Sequence, residues 1–181
     1  MMNEKDAKAR KIQVRVTKES ESLTLCNIQK AAFLPLYDKY QDQDNPCFRG
    51  VEDIAKRLNS DSFRYFTIYL DEEIVGGALY KCKGGTPFVE DLEKGHYYLQ
   101  RIYIKPEHQC KGIAQTAILL CEKMFPNAIC FWVDFPEDLA KNERCYTKVG
   151  FLDTGERSQI QSGLVLASYK KVLPNKISSP V

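Results

Sequence analysis

The stretch Leu99-Gln100-Arg101-Ile102-Tyr103-Ile104-Lys105-Pro106-Glu107-His108-Gln109-Cys110-Lys111-Gly112-Ile113-Ala114 decides the architecture. Aromatic and β-branched residues from Tyr97 to Ile104 predict a strand, and Pro106, which has no N–H to give a ladder, stops it. A short loop, Glu107 to Lys111, leads directly into a helix expected from about Gly112 to Met124, ending before Pro126. On that helix Ala114, Ala117, Ile118, Cys121 and Met124 recur at i, i+3, i+4 spacing and form one apolar face. The first turn of such a helix leaves N–H groups unpaired at a positive dipole end, and the two together favour a phosphate. Gly112 has no Cβ, so a phosphate can approach the backbone, and Ala114 keeps the surface low one turn inside. The same glycine would also serve a plain tight turn, and neither GxxxxGK[ST] nor GxGxxG is present.

Working outward, the apolar pattern alternates between two periods. Ile12-Gln13-Val14-Arg15-Val16 reads as a strand. Leu23 to Leu36 reads as a helix with its exit at Pro35-Leu36-Tyr37, and Val51, Ile54, Ala55 and Leu58 mark a second, shorter one. Phe63–Leu70 and Ile74–Lys81 form a predicted hairpin joined at Asp71-Glu72-Glu73. Beyond the central stretch, Ile129–Phe135 predicts a strand, Asp138–Lys148 a helix, Phe151 opens further strand structure, and Gly163–Val172 is the last strand. The order β-α-α-β-β-β-α-β-α-β-β describes an α/β domain with a mixed sheet, neither an all-parallel array nor a sandwich. Residues 1–10 read as a loose start, 11–173 as a single domain and 174–181 as a flexible tail, where prolines and polar residues cannot continue a strand.

At 181 residues the chain can bury a continuous core without disulfides or a structural metal. Its 26 basic and 24 acidic residues are interleaved, which leaves room for a local basic patch but argues against a nucleic-acid partner. Lys5, Lys8, Arg10 and Lys11 precede no apolar run, and no apolar stretch approaches the roughly 20 residues that span a bilayer. No membrane partner is expected. Cysteines stand at 26, 47, 82, 110, 121, 130 and 145, an odd count without CxxC and mostly inside apolar runs. Free buried thiols suit a reducing, cytoplasmic setting. His108-x-Cys110 would be half of a metal site, but no second pair lies near it, so no metal is expected.

Gln109-x-x-Gly112-x-Ala114 matches the Q/R-x-x-G-x-G/A signature of the GNAT superfamily of N-acetyltransferases, and Ile102 to Pro106 resembles that family's fourth strand with its V-x-P exit. Downstream, Asn142-Glu143-Arg144-Cys145-Tyr146-Thr147-Lys148-Val149-Gly150-Phe151 resembles the family's N-x-x-A-x-x-(h/Y)-Y-x-k-x-G-F segment, without its Ala spacing. The resemblance covers residues 97–151; residues 12–96 match in element order only. It implies a mixed, mostly antiparallel twisted sheet with helices on both faces. The implied activity moves the acetyl group of acetyl-CoA directly to a primary amine, with no acyl-enzyme at Cys110 or Cys145.

The resemblance also distributes roles. Gln109, Cys110, Lys111, Gly112, Ile113 and Ala114 would hold the pyrophosphate, and the pantetheine arm would pair with backbone at Ile102 and Ile104. A backbone N–H near Tyr103 or Ile104 would face the thioester oxygen. Asn142 and Tyr146, four apart on one helical face, would meet the pantetheine amide and the departing thiolate, while Leu139, Cys145 and Val149 pack inward. Gly150 is suited to a left-handed helix end, with Phe151 folding back as its apolar contact.

A general base is not evident. The central strand offers Tyr98 and Gln100, neither charged, and nothing selects among His96, Asp134 and Glu137. That gap sustains the alternative of a non-catalytic acyl-CoA-binding or regulatory module. The loop after the first helix, with Tyr37, Tyr40, Asp42, Asp44 and Arg49, would wall the acceptor site and receive a cationic amine. A small-molecule amine is the first expectation and a peptide amine the second; a homodimer is compatible with the resemblance.

Overall fold

The computed structural model describes residues 10–174. In chain order its elements are β1 (Ile12–Val16), α1 (Ser22–Tyr40), α2 (Val51–Leu58), β2 (Phe63–Leu70), β3 (Glu73–Lys81), β4 (His96–Ile104), α3 (Ile113–Glu122), β5 (Cys130–Pro136), α4 (Ala140–Lys148), β6 (Leu152–Gln161) and β7 (Leu164–Val172). This is the order expected from the two periods. The strands form one sheet in the order β1-β2-β3-β4-β5-β7-β6. Neighbours are antiparallel throughout except β4 and β5, which are parallel. The expected loose ends lie almost wholly outside the described residues.

Pleating sends alternate side chains to opposite faces, and each face buries a helical layer. On one face Tyr65, Leu79 and Tyr103 pack against Leu25, Cys26 and Ile28 of α1 and Ile54 of α2. On the other, Phe66, Tyr80, Leu99, Phe131, Val133 and Phe135 meet Ile113, Ala117, Ile118 and Cys121 of α3, Tyr146 of α4 and Val149 just past its end. Each side chain of this size buried from water stabilises by about 1.5–3 kcal/mol, so the α3 stripe pins the loop in front of it. α4 ends as the sequence predicts. Gly150 takes φ 100°, and the Gly150 and Phe151 N–H groups donate to Thr147 and Tyr146 carbonyls at 3.1 Å each.

Two expectations fail locally. α1 does not stop at Pro35 but runs to Tyr40, where left-handed Gln41 caps it with a 2.7 Å bond to Tyr37. Pro35 is exposed, so the Ala31 carbonyl that it leaves without a helical donor remains solvated and the helix survives. Met124 does not belong to the α3 face: the helix ends at Glu122, and Met124 is half exposed in the turn after it.

Register along β4 shifts once. Leu79 faces Arg101 while Tyr80 faces Leu99, which leaves Gln100 as a bulge. The bulge resets the alternation, so Leu99, Ile102 and Ile104 share the α3 face while Tyr103 turns toward α1. Close approach of β3 to this part of β4 needs Gly76, because a Cβ there would lie 2.2 Å from the Tyr103 carbonyl oxygen and 2.9 Å from Ile104 Cδ1. Gly76→Ala is therefore expected to cost about 1–3 kcal/mol in urea unfolding, the usual range for overpacking. A loss under about 0.5 kcal/mol would show that the two strands part without strain.

Candidate active site

β4 and β5 are hydrogen-bonded only from His96↔Cys130 to Leu99↔Val133. Past that point β4 stays with β3 and β5 stays with β7, so Gln100–Ile104 and Asp134–Pro136 separate. The gap is a cleft of about 500 Å³, walled by Phe33 and Leu36 of α1 on one face and by the α3 N-terminus and α4 on the other.

At the α3 end the backbone is left-handed at Cys110 (φ 58°) and Gly112 (φ 78°). The first bond of the helix ladder runs from the Thr116 N–H to the Gly112 carbonyl at 3.1 Å. The N–H groups of Ile113, Ala114 and Gln115 thus precede the ladder, and the helix has no side-chain cap. A Cβ on Gly112 would meet nothing within 4 Å. Open space above unpaired donors fits a pyrophosphate. Gln109, Cys110, Gly112, Ile113 and Ala114 all line the cleft. Lys111 does not: its ammonium is exposed and donates to the Glu107 carbonyl at 2.7 Å. Gln109 acts through its side chain, whose amide donates to the Ile104 carbonyl at 2.9 Å, while its N–H is engaged with Pro106.

Alternation also sorts the β4 backbone. The Lys105 N–H donates to the Val75 carbonyl at 2.7 Å, so in an antiparallel ladder Tyr103 exchanges bonds with Gly77, while Ile102 and Ile104 turn their backbone groups away from β3, into the cleft. This corrects the expectation for Tyr103. Its N–H is used in the sheet, and its hydroxyl is engaged with Tyr65 at 2.7 Å on the α1 side.

Asn142 and Tyr146 both line the cleft, from α4. Tyr146 is 6% exposed, stacked on Phe135 and edge-on to Phe151. Burial first, then the neighbouring Cys145 and Asp134, pushes its hydroxyl well above the usual tyrosine value, so it stays protonated. Cys145 lines the same wall, but burial raises its thiol to about 11, which keeps it inert at neutral pH.

Geometry separates the three residues among which the sequence could not choose. His96 accepts from the Trp132 indole at 3.2 Å and lies outside the cleft, and Glu137 is tied to Arg157 at 3.1 Å. Asp134 lines the cleft. It alternates with buried Val133 and Phe135 and so faces the α1 side. Burial raises its carboxyl to about 6, partly offset by a 2.7 Å hydrogen bond from the Tyr98 hydroxyl. The signal was legible as one acid in an otherwise apolar strand, in opposite phase to Val133 and Phe135.

The acceptor-wall residues expected in the loop after α1 are not in the cleft. Tyr37 packs edge-on against Phe48, Tyr40 donates to Asp138, Asp42 accepts from the Asp44 N–H, and Asp44 pairs with Arg49. Asp138, the Asp44 N–H and Arg49 engage Tyr40, Asp42 and Asp44, and the apolar side of α1 takes the wall instead. A buried network unseen in the sequence supports it. Arg101, with its side chain 7% exposed, donates to Asp53 at 2.8 Å and to Gln29 at 3.2 Å, and Arg57 donates to the same Asp53 at 3.1 Å.

Residues 24–151 match the acetyltransferase (GNAT) family model. The chain belongs to that family. The sheet and helices of this acetyltransferase resemble those of PaiA N-acetyltransferase from Thermoplasma acidophilum in complex with coenzyme A, at 16% identity over 90% of this chain and 99% of that one, with TM-score 0.64. They also resemble the ribosomal-protein-S18-alanine N-acetyltransferase of Escherichia coli (9%, 94% and 99%, 0.69). A third likeness is to spermidine N-acetyltransferase from Vibrio cholerae with CoA and spermine (14%, 89% and 95%, 0.68). Comparison with curated protein sequences gives no match.

Burial pushes the Asp53 carboxyl up, but hydrogen bonds from Arg57 and Arg101 outweigh it and hold it below its ordinary 3.8. A depressed carboxylate contributes stability above its unfolded value and loses it as pH falls through the folded one. Asp53→Ala should cost about 3 kcal/mol at neutral pH, since it strands the Arg101 charge. Urea titrations of the two proteins should converge on acidification below 3.8; a pH-independent gap would mean that the carboxylate charge is not what matters.

Proposed function

We propose that this acetyltransferase moves the acetyl group of acetyl-CoA to a primary amine by direct attack, with Asp134 as general base and Tyr146 as the donor to the leaving sulfur. One observation carries the reading: Asp134 and Tyr146 line one cleft from opposite faces of the sheet. The amine enters on the α1 side and gives a proton to Asp134. Its lone pair attacks the thioester carbon, and a backbone N–H of Ile102 or Ile104 receives the developing oxyanion, a contact worth about 3 kcal/mol. As the C–S bond breaks, the Tyr146 hydroxyl donates toward the sulfur, the new amide nitrogen sheds its second proton to solvent, and solvent returns one proton to the thiolate. Gly112 and the amides from Ile113 hold the pyrophosphate, with Gln109, Cys110 and Ala114 shaping the turn and Asn142 meeting the pantetheine. The non-catalytic alternative rests on the lack of a base, and a base role for Asp134, as proposed, argues against it.

The acceptor follows from the lining. Among the described residues Asp134 is the one carboxylate on the cleft wall, which Phe33, Leu36 and Pro136 also line. Such a site suits a singly charged amine next to an apolar group better than a polyamine, which needs several carboxylates. A small apolar amine is the first candidate and a peptide amine the second. We also read residues 11–173 as one catalytic domain. Seven free cysteines favour a reducing compartment, hence a cytoplasmic enzyme.

Two outcomes test the chemistry. Because Asp134 must be ionised to accept a proton, kcat/KM should fall tenfold per unit below about pH 6. Asp134→Asn should abolish that limb and lower the rate about 10²–10⁴-fold. Its stability should move the other way: a raised carboxyl loses stability as pH climbs from its unfolded to its folded value, so the neutral variant should be more stable at pH 7. A destabilised but active Asp134→Asn would remove the residue from the mechanism. Tyr146→Phe should retain acetyl-CoA binding and lose at least about 10² in kcat.

Binding is tested separately by calorimetry. Gly112→Glu fills the open space above the turn and should abolish acetyl-CoA binding, whereas undiminished affinity would place the pyrophosphate elsewhere. Thiol release against an amine panel should favour phenylalkylamines and peptide amines over spermidine.

A further inference from the structure

The α1 side of the cleft holds a charged group besides Asp134, and acetyl transfer itself does not use it. Arg101 lines the cleft, is 8% exposed and follows the Gln100 bulge that turns it toward α1 and α2. There it donates through Nη1 alone, at 2.8 Å to Asp53 Oδ2 and at 3.2 Å to Gln29 Oε1. Arg57 donates to the same Asp53 oxygen at 3.1 Å and to Gln100 at 3.0 Å. Two guanidinium groups thus share one carboxylate, with side chains only 7% (Arg101), 16% (Arg57) and 19% (Asp53) exposed. Among the described residues no other acid pairs with either arginine. The network carries one positive charge in excess, at a depth where water screens it poorly.

Nε and Nη2 of Arg101 have no hydrogen-bond partner among the described residues, and neither is sealed from solvent. Together they form the edge of the guanidinium that grips a carboxylate through two parallel bonds. The Tyr98 hydroxyl, which donates to Asp134 at 2.7 Å, is close enough to Arg101 to feel its charge, so the acid and the cation share one neighbourhood. We propose that the acceptor is an amino acid with an apolar side chain. Its ammonium meets Asp134, its carboxylate takes the free edge of Arg101, and its side chain rests against the wall of Phe33, Leu36 and Pro136. This rests on the acetyl-transfer reading above and narrows the small apolar amine to one that brings its own anion. Transfer leaves the carboxylate untouched: the ammonium becomes an acetamide, coenzyme A leaves as the thiol, and one net proton goes to solvent. A polyamine has no anion to offer, and the α-carbonyl of a peptide N-terminus is a neutral amide, so both leave the extra charge unmet.

The experiment follows thiol release from acetyl-CoA with acceptors matched except for the carboxylate: phenylalanine against phenethylamine and phenylalaninamide, and leucine against isoamylamine and leucinamide. The amino acid should have the higher kcat/KM in each set by at least about tenfold, the size of one charge-assisted hydrogen bond. The amides fill the same space with a less basic amine, so this preference runs against ease of deprotonation. It should persist as salt rises, because a buried pair is screened little. In Arg101→Met, which leaves Asp53 its Arg57 partner, the preference should vanish through a raised KM for the amino acid. Arg101→Lys, with the charge but not the fork, should recover only part of it. Each preference is a ratio within one protein, so a loss of folded enzyme cancels. Equal rates for acid, amine and amide, or a dipeptide amine that outruns them all, overturns the carboxylate site and leaves acetyl transfer standing. A preference undiminished in Arg101→Met overturns the assignment to that residue. No thiol release from any set overturns the acetyltransferase reading, and this proposal with it.

Discussion

The parting of β4 from β5 after four paired residues is the constraint on which the rest of the molecule depends. Each strand keeps its partner on the far side, β3 for one and β7 for the other, so neither can follow its neighbour across the gap. Backbone polar groups released inside a protein must find other partners. The Ile104 carbonyl finds the Gln109 amide. The remaining groups at Ile102 and Ile104 face a cleft wide enough for solvent or for a ligand that carries amides. What would be a defect in an ordinary sheet is here a strand edge opened inside the fold, ready to be completed by an extended arm of alternating donors and acceptors.

The Gln100 bulge gives that edge two different sides. Without it, the residue after Leu99 in phase would place Arg101 toward α3, in the larger apolar cluster. With it, Arg101 and Tyr103 turn toward α1 and α2, where Asp53, Gln29 and Tyr65 receive them. These contacts tie both helices to the strand that lines the cleft. Ile102 and Ile104 meanwhile continue the apolar surface under α3. One extra residue therefore separates a polar, anchored wall from an apolar one.

Much of this was legible in the sequence because it rests on periodicity and on positions where only one residue type fits. Strand and helix phases placed the elements, and Gly112 and Gly150 marked the two helix boundaries that matter most. The misreadings share a cause. Pro35 is a helix breaker by intrinsic preference, but an exposed position lets water serve the carbonyl it orphans. Met124 continues an apolar stripe on paper, yet the helix has ended two residues before it. The aromatic and acidic residues after α1 look like a receptor for amines, but each is consumed by a neighbour a few residues away or across the α1–α4 boundary. Pairing of side chains is a tertiary fact that spacing does not carry. Asp134 and Arg101 were visible as residues, and only the cleft shows that they share a space.

Burial raises both groups of the proposed reaction, with complementary results. It raises Asp134 to about 6, which improves it as a base while leaving it ionised at neutral pH. It raises Tyr146 further, beyond the range in which it could ionise. A departing thiolate, with an ordinary thiol pKa of about 8.5, is too weak a base to deprotonate such a phenol. Tyr146 therefore does not surrender its proton outright. In the reaction proposed above it lends a hydrogen bond as charge accumulates on sulfur, and solvent completes the thiol. In that proposed role the residue is a fixed dipole aimed at a transition state, and its seat between Phe135 and Phe151 holds the ring in place.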